Sequence, residues 1–242
     1  MNYQRIGNEV KIVHDQSSSA KYRESDELEI AGESHKRICN ILAAISRSFG
    51  YRISVLDLGC GTGRYFHCLQ HVDRLIGIDI ALNMLKYAHN PVRSDKVSIN
   101  HIDLICADIF DIPVKYDLFD FIYSVGVLGE ISPFDLYICN KLFSLLKPGG
   151  KFFFTVVDVY SKLERMSLKR RIAERVCPLL PSMWKGKLRE RLKTFYMTDR
   201  ELRGILEKSM FTQYEVLRHV STSPLWIGAH YECIATKVPP DA

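Results

Sequence analysis

Three glycines at alternating positions mark the part of the sequence best suited to binding a ligand. They are Gly59, Gly61 and Gly63, and an apolar run that ends at Leu58 precedes them. This pattern predicts a short buried strand followed by a tight turn. Because glycine has no Cβ, such a turn lets the backbone approach a ligand closely. We expect a helix to begin after Gly63 and to present free N–H groups to an anion or a polar tail.

A carboxylate follows the glycine turn at the end of the next apolar run. Asp79 comes about 20 residues after the turn, where a carboxylate at a strand end can accept both hydroxyls of a ribose. A dinucleotide-binding turn carries glycine at the sixth position of its motif, but this chain has Arg64 there and its third glycine comes one residue early. The departure disfavours NAD and FAD.

The segment Leu56–Gly63 resembles the first motif of class I S-adenosylmethionine (SAM)-dependent methyltransferases of the small-molecule type, and Asp79 resembles the second. Ala107–Ile109 resembles the third motif, and residues 146–151 match a further family turn. The resemblance covers about residues 55–157. It implies an α/β, doubly wound, mostly parallel seven-stranded sheet with an antiparallel last strand. It also implies SAM as methyl donor, S-adenosylhomocysteine as product, and no metal.

The same resemblance implies where the cofactor lies. Asp79 would bind the ribose, Asp108 the exocyclic amine of adenine, and the backbone N–H of Ile109 a ring nitrogen. Met84 would pack on adenine, although a methionine at helical spacing is as often a core residue. Cys60 is interpreted as a small spacer in the turn and not as a nucleophile. The full set of expected cofactor contacts is Asp57, Gly59, Cys60, Gly61, Gly63, Asp79, Ile80, Met84, Asp108, Ile109 and Ser124.

The residues that meet the methyl acceptor are less well defined. Many small-molecule relatives carry Glu-His where this chain has Gly129-Glu130, so Glu130 is a candidate catalytic base or ammonium ligand. The alternative is a salt-bridged glutamate at the start of a helix. Four further substrate-binding candidates are Tyr22, Asp158, Tyr160 and His230, and for Tyr22 and His230 a purely structural role is the alternative.

Motifs of other methyltransferase classes are missing from the sequence. Enzymes that methylate amino groups of adenine or glutamine carry Asn/Asp-Pro-Pro-Tyr where this chain has residues 124–127, Ser-Val-Gly-Val. The cysteine motifs of cytosine-C5 enzymes are absent as well. We therefore expect O- or N-methylation, or C-methylation, of a small molecule, a lipid-linked intermediate or a glycan. Two alternatives stay open: an RNA-directed methyltransferase, and a non-catalytic scaffold that binds SAM.

Positive charge is concentrated in one segment. Residues 162–193 carry eleven Lys/Arg and three Glu, whereas the whole chain has a net charge of +5. We interpret residues 161–195 as a basic helical cap inserted over the acceptor pocket, since they exceed a normal connection between a strand and a helix. The cap could contact anionic lipid or RNA, or it could be a solvated lid.

The remaining elements complete the predicted domain organisation. Residues 1–32 form a flexible N-terminal segment or lid, 33–160 the Rossmann-like SAM-binding core, and 196–242 the C-terminal part of the core sheet. One helix is predicted at 33–48. A second is predicted to begin after Ser132, its N-cap, and a third at 199–209, with Thr198 as its N-cap. The last two strands are predicted at 211–218 and 229–237.

The seven cysteines are scattered and form no Cys-x-x-Cys pair. We expect reduced thiols in a cytoplasmic protein, without a disulfide framework or structural zinc. No His, Cys and Asp residues show the sequence spacing of a metal site, and the first residues do not resemble a signal peptide.

Overall fold

A seven-stranded sheet forms the centre of the protein. The computed structural model describes residues 3–4, 6–8, 18–162, 168–192, 195–221 and 228–239. The sheet has the order β3-β2-β1-β4-β5-β7-β6, in which β7 alone runs antiparallel to its neighbours. This is the predicted fold class. The strands are β1 Ile53–Leu58, β2 Val72–Asp79, β3 Ile99–Cys106, β4 Phe119–Ser124, β5 Leu146–Val157, β6 Gln213–Ser221 and β7 Gly228–Thr236.

The central strands are apolar because helices cover both of their faces. Every residue of β4 is buried, and β1 is buried at all but one position. Parallel strands covered on both sides read as continuous apolar runs, which is why the sequence pattern located them. In the paired strands, Asp57 lies opposite both Gly77 of β2 and Tyr123 of β4. The carboxyl ends of these strands therefore meet at one edge of the sheet.

Helices pack on both faces of the sheet. On one face α2 contributes Ile38 and Leu42 to the core, and on the other face Ile138 of α4 and Leu202 of α7 pack against the strands. The helix α1 was not predicted and lies within the segment 1–32. The longer described helices are α1 Ser18–Glu29, α2 Glu33–Arg47, α3 Leu82–Ala88, α4 Leu136–Leu145, α5 Leu168–Val176, α6 Ser182–Leu192 and α7 Asp199–Leu206, and one helical turn, Val159–Lys162, follows β5.

The α-helix predicted after Gly63 is wrong. The chain forms only a 3₁₀ turn, Phe66–Cys68, before β2 begins at Val72. Residues 61–65 form turns, in which Gly61 and Gly63 have φ of +53° and +76°, outside the right-handed helical region. The ligand site therefore has no helix N-terminus above the glycine turn.

The predicted N-cap of α4 is also wrong. Asp135 caps the helix, and its carboxylate accepts a hydrogen bond of 3.1 Å from the backbone N–H of Ile138. Ser132 belongs to the preceding turn instead, since its backbone bonds Val127 and Gly129 at 3.0 and 2.7 Å. By contrast, Thr198 caps α7 as predicted and forms a capping box with Glu201.

The insertion is helical where the structure describes it. The helices α5 and α6 are joined by a 3₁₀ turn, Cys177–Leu179, while residues 163–167 and 193–194 of the predicted cap lie outside the described part. Among the described helices, none is both long and apolar enough to cross a lipid bilayer.

Candidate functional site

A cavity of about 270 Å³ opens at the carboxyl edge of β1, β2 and β4. The glycine turn forms its floor, and the ends of β2 and β3 form one wall. The loop after β4 forms the opposite wall, and α1 together with Gly7 covers the top. Ligands of open α/β sheets bind at this edge, so the cavity is the site that the fold predicts.

The glycine turn is fixed to the neighbouring strand by its backbone. The N–H groups of Gly59 and Cys60 both donate to the carbonyl of Ile78, at 2.8 and 2.9 Å. Gly59 has φ of +75°, and a Cβ at this position would lie 2.4 Å from a methyl group of Val127. Glycine is therefore required here for both backbone conformation and space.

Asp79 is held at the cavity wall by two backbone donors. Its two carboxylate oxygens accept hydrogen bonds from Gly61 N–H and Ala81 N–H, each at 2.9 Å. The side chain lines the cavity and joins the glycine turn to the start of α3. A carboxylate oriented in this way is ready to receive hydroxyl donors from a ligand.

Asp57 lies beneath the turn in a fully buried position that still reaches the cavity. Burial raises the pKa of Asp57 to about 8, although the Tyr123 hydroxyl, which donates to it at 2.7 Å, acts in the opposite direction. Asp57 is therefore largely protonated at neutral pH. Burial also raises the pKa of the Cys60 thiol well above its usual value, which makes this thiol a poor nucleophile.

Asp108 marks the other end of the cavity. Its carboxylate accepts a hydrogen bond of 3.0 Å from the N–H of Phe110, and burial raises its pKa. Gly7 packs so closely that a Cβ there would overlap the carboxylate. Tyr3 stacks on Phe110 with ring centres 4.4 Å apart and hydrogen-bonds Asp135. The start of the chain thus contacts the cavity next to Asp108.

The helix α1 covers the cavity through an ion-pair network that sequence analysis missed. Arg64, directly after the third glycine, pairs with both Asp26 and Glu29 of α1. The hydroxyl of Thr62 donates to the same Asp26, which is only 1% exposed. No local sequence signal could have revealed this network, because its two halves are far apart along the chain.

Two candidates for contact with the acceptor line the same cavity. Glu130 and Tyr22 both line it. Burial raises the pKa of Tyr22, and the negative charge of Glu130 contributes in the same direction. The backbone carbonyl of Glu130 also accepts a hydrogen bond of 3.2 Å from the N–H of Phe195, the last residue of the predicted cap.

Most of the predicted cofactor residues line this cavity, but Gly63 and Ser124 do not. A Cβ on Gly63 would meet the Phe66 ring at 2.8 Å, so this glycine allows close packing of the turn. Ser124 donates a hydrogen bond of 2.9 Å to the carbonyl of Leu58 and thereby joins β4 to β1. Both residues support the site from outside the cavity.

Three predicted substrate residues also lie outside the cavity lining. Asp158 is buried in an ion pair with Arg218, at 2.9 Å. Tyr160 is half exposed on the surface, and buried His230 contacts Glu232 at 3.3 Å. The described residues of the basic segment, 168–192, contribute nothing to the lining. In the described part of the chain, α1 covers the cavity, and a cap formed by residues 161–195 stays a prediction.

Together, the sheet order and the cavity at its carboxyl edge define the class I methyltransferase fold. Residues 55–150 match the family described as "Methyltransferase domain". The ubiquinone biosynthesis O-methyltransferase of Coxiella burnetii is 30% identical over 105 residues, which are 43% of this chain and 43% of the relative. The matching segment therefore spans less than half the length of that relative.

Two further proteins support the same class. The malonyl-[acyl-carrier protein] O-methyltransferase of Priestia megaterium is 30% identical over 110 residues, 44% of this chain and 38% of the relative. The structure of the magnesium protoporphyrin IX methyltransferase of Synechocystis PCC 6803 with bound SAM is also similar. The superposition covers 95% of this chain and 96% of that protein's chain. Its TM-score is 0.61 at 14% identity, which shows the shared fold. Residues 55–150 thus match a methyltransferase domain family, and the chain has the class I methyltransferase fold.

Proposed function

We propose that this protein is a SAM-dependent methyltransferase that methylates an oxygen or nitrogen atom of a small-molecule acceptor. One observation carries the proposal: a single cavity connects the two strand-end carboxylates Asp79 and Asp108 with Glu130 and Tyr22. A cofactor bound by Asp79 and Asp108 would therefore lie next to an acceptor bound by Glu130 and Tyr22.

The cavity has the donor and acceptor groups that an adenosyl sulfonium requires. Asp79, already oriented by the backbone, would bind the ribose hydroxyls. Asp108 and the backbone of Ile109 would hold the adenine, against Met84 and Ile80. The glycine turn and Asp57 would face the methionine part, where the close approach of backbone and ligand depends on glycine.

The chemistry needs little more than orientation. When bound, SAM would supply a methyl group on a sulfonium: the acceptor atom would bond to the methyl carbon in line as the carbon–sulfur bond breaks, leaving S-adenosylhomocysteine as the product. Holding two reactants aligned contributes up to about 7–11 kcal/mol to such a reaction. Glu130 would accept a proton from an acceptor hydroxyl or hold an acceptor ammonium. Tyr22 and the rest of α1 would cover the reacting atoms and exclude water.

Relatives favour an acceptor oxygen. The two curated relatives described above are both named O-methyltransferases. We therefore infer O-methylation as the first reaction to test, with lipid-linked and carrier-bound acceptors included beside free small molecules. A glycan acceptor or N-methylation is the next candidate. No metal ion is assigned a role in the reaction.

Part of the basic segment is neutralised within the fold. Lys185 and Arg189 both pair with Glu201, at 2.8 and 3.0 Å. Lys169, Arg175 and Lys187 are exposed, so contact with anionic lipid or RNA remains a prediction for this surface.

The seven cysteines are free thiols, which supports the cytoplasm as the proposed compartment.

Methyl transfer can be tested with radiolabelled SAM and a panel of phenols, carboxylic acids, amines and isoprenoid-linked phenols. We expect labelled product from at least one class of acceptor. Glu130→Gln should lower kcat on that acceptor by at least about tenfold while SAM affinity stays the same. Glu207→Gln, an exposed control at the end of α7, should leave both unchanged. SAM binding without turnover of any acceptor would instead identify a cofactor-binding scaffold.

A further inference from the structure

A second group of reactive side chains lies behind the glycine turn. His35 and Cys39 are four residues apart on α2 and therefore share one face of the helix. His67 reaches the same place from the 3₁₀ turn that follows the glycine turn. One ligand atom from each of the three residues lies within 4.8 Å of the other two. Sequence spacing did not reveal this cluster, because packing alone brings His67 to α2.

The distances within the cluster agree with those around a shared metal ion. The Cys39 sulfur lies 3.2 Å from Nε2 of His35 and 3.8 Å from Nε2 of His67. Tetrahedral zinc, with bonds of about 2.3 Å to sulfur and about 2.0–2.1 Å to nitrogen, separates two such ligand atoms by about 3.5 Å. The two observed distances lie on either side of that value.

The histidines are not satisfied as ordinary core residues. Their rings stack with centres 5.4 Å apart, and both direct Nε2 towards the same sulfur. Nδ1 of His35 and Nδ1 of His67 are buried without a hydrogen-bond partner, and His35 is only 4% exposed. A neutral thiol can donate to only one of two imidazoles. A zinc ion between the two Nε2 atoms and the sulfur would bond all three ligand atoms, which one thiol proton cannot do.

We propose that His35, Cys39 and His67 bind one zinc ion. Two imidazoles and a thiolate are the ligand types that zinc takes in structural sites. Cys68 lies beside the cluster and hydrogen-bonds Cys39, and its thiol also donates to the carbonyl of Tyr65 at 2.9 Å. Cys39 and His67 are half-buried, which allows exchange with solvent.

The position of the cluster gives the zinc ion a structural role. The 3₁₀ turn replaces the helix expected after the glycine turn and therefore has few backbone bonds of its own. Tyr65, which lines the cavity, stacks on His35 with ring centres 5.3 Å apart. A metal bridge from α2 to His67 would fix this turn and support the floor of the cavity. This inference is independent of which molecule is methylated.

Zinc content tests the site directly. The full chain, freed of any affinity tag, is purified, and its zinc is measured by mass spectrometry after dialysis without chelator. We expect about one zinc ion per chain. Removal of the metal should lower the midpoint of thermal unfolding, and added Zn²⁺ should restore it. Replacement by Co²⁺ should produce a thiolate-to-cobalt charge-transfer band and the visible spectrum of a tetrahedral site.

Variants separate the site from adventitious binding. Cys39→Ser and His67→Asn should each lose the zinc and the cobalt band, whereas Cys106→Ser, which removes an exposed thiol elsewhere, should keep both. Because a cluster variant can fail to fold, the cobalt spectrum of the unaltered chain is the decisive measurement. A folded chain that retains no zinc and shows no thiolate band with Co²⁺ would establish a hydrogen-bonded Cys–His cluster and overturn the proposal.

Discussion

Arg64, the residue directly after the last glycine of the turn, forms an ion pair with Asp26 in the middle of α1. Asp26 is 1% exposed, and the side chain of Arg64 is 21% exposed. This pair connects the floor of the cavity to its cover. A dinucleotide-binding turn carries glycine at the position of Arg64, which is why this residue disfavours NAD. In this protein the same arginine holds α1 over the cavity.

We predict that Arg64→Gln weakens SAM binding by about tenfold, equivalent to about 1.4 kcal/mol. The substitution leaves Asp26 buried without its cation, which is strongly destabilising and favours opening of α1. Calorimetric titration with SAM measures the affinity, and limited proteolysis reports opening of residues 18–29.

A matched control removes a surface ion pair instead. Arg74 pairs with Asp103 at 2.7 Å, and both side chains are about half exposed. Arg74→Gln should change stability by less than about 1 kcal/mol and leave SAM binding unchanged. If Arg64→Gln behaved like this control in both titration and proteolysis, α1 would not be held by the pair.

The stability of the protein should depend on pH through Asp57. Its folded pKa of about 8 is raised above the ordinary value of 3.8. Between these values the unfolded chain has released a proton that the folded chain keeps, so this group lowers stability as pH rises from about 4 to about 8. The asparagine of Asp57→Asn does not titrate. The free energy of unfolding of this variant minus that of the unaltered protein should therefore rise by a few kcal/mol between about pH 4 and about pH 8.

Urea unfolding of both proteins at about pH 5 and about pH 8 measures this effect. The contributions of the other titrating groups are common to both proteins, so they cancel when the two free energies of unfolding are subtracted at each pH. Asp103→Asn, an exposed carboxylate on β3, is the control and should show no such trend. A constant difference between Asp57→Asn and the unaltered protein at both pH values would show that Asp57 is ionised throughout.

Loss of the capping box at α7 should destabilise the fold. Thr198→Ala removes the side-chain acceptor for the N–H of Glu201 and is expected to cost about 1 kcal/mol. Thr212→Ala, at an exposed position before β6, should cost little. Urea unfolding of both variants checks the prediction, and equal midpoints would mean that the cap contributes nothing.

The sequence located the parts of the site whose signals are local. One β–turn–β unit contains three local signals: an apolar run, glycines at alternating positions, and an acid at the end of the next strand. Because these signals are close in sequence, Asp57, Gly59 and Asp79 were predicted together. Parallel order then brings Asp108 to the same edge. These inferences need only strand direction and the approximate length of each element.

Contacts between distant segments could not be predicted in this way. The pairing of Arg64 with α1 and the approach of His67 to α2 depend on helix packing, which periodicity does not specify. His230 was expected near the acceptor because it starts the last strand. It lies at the correct edge, opposite Val157 of β5, but β7 is separated from β1 by two other strands.

Asp79 is expected to bind the ribose of SAM, and a single titration decides whether it does. SAM is titrated calorimetrically into the unaltered protein and into Asp79→Ala, with thermal unfolding to verify that the variant is folded. The dissociation constant should rise by at least about tenfold in the variant, because the ribose loses its acceptor. An unchanged dissociation constant in a folded Asp79→Ala protein would contradict it.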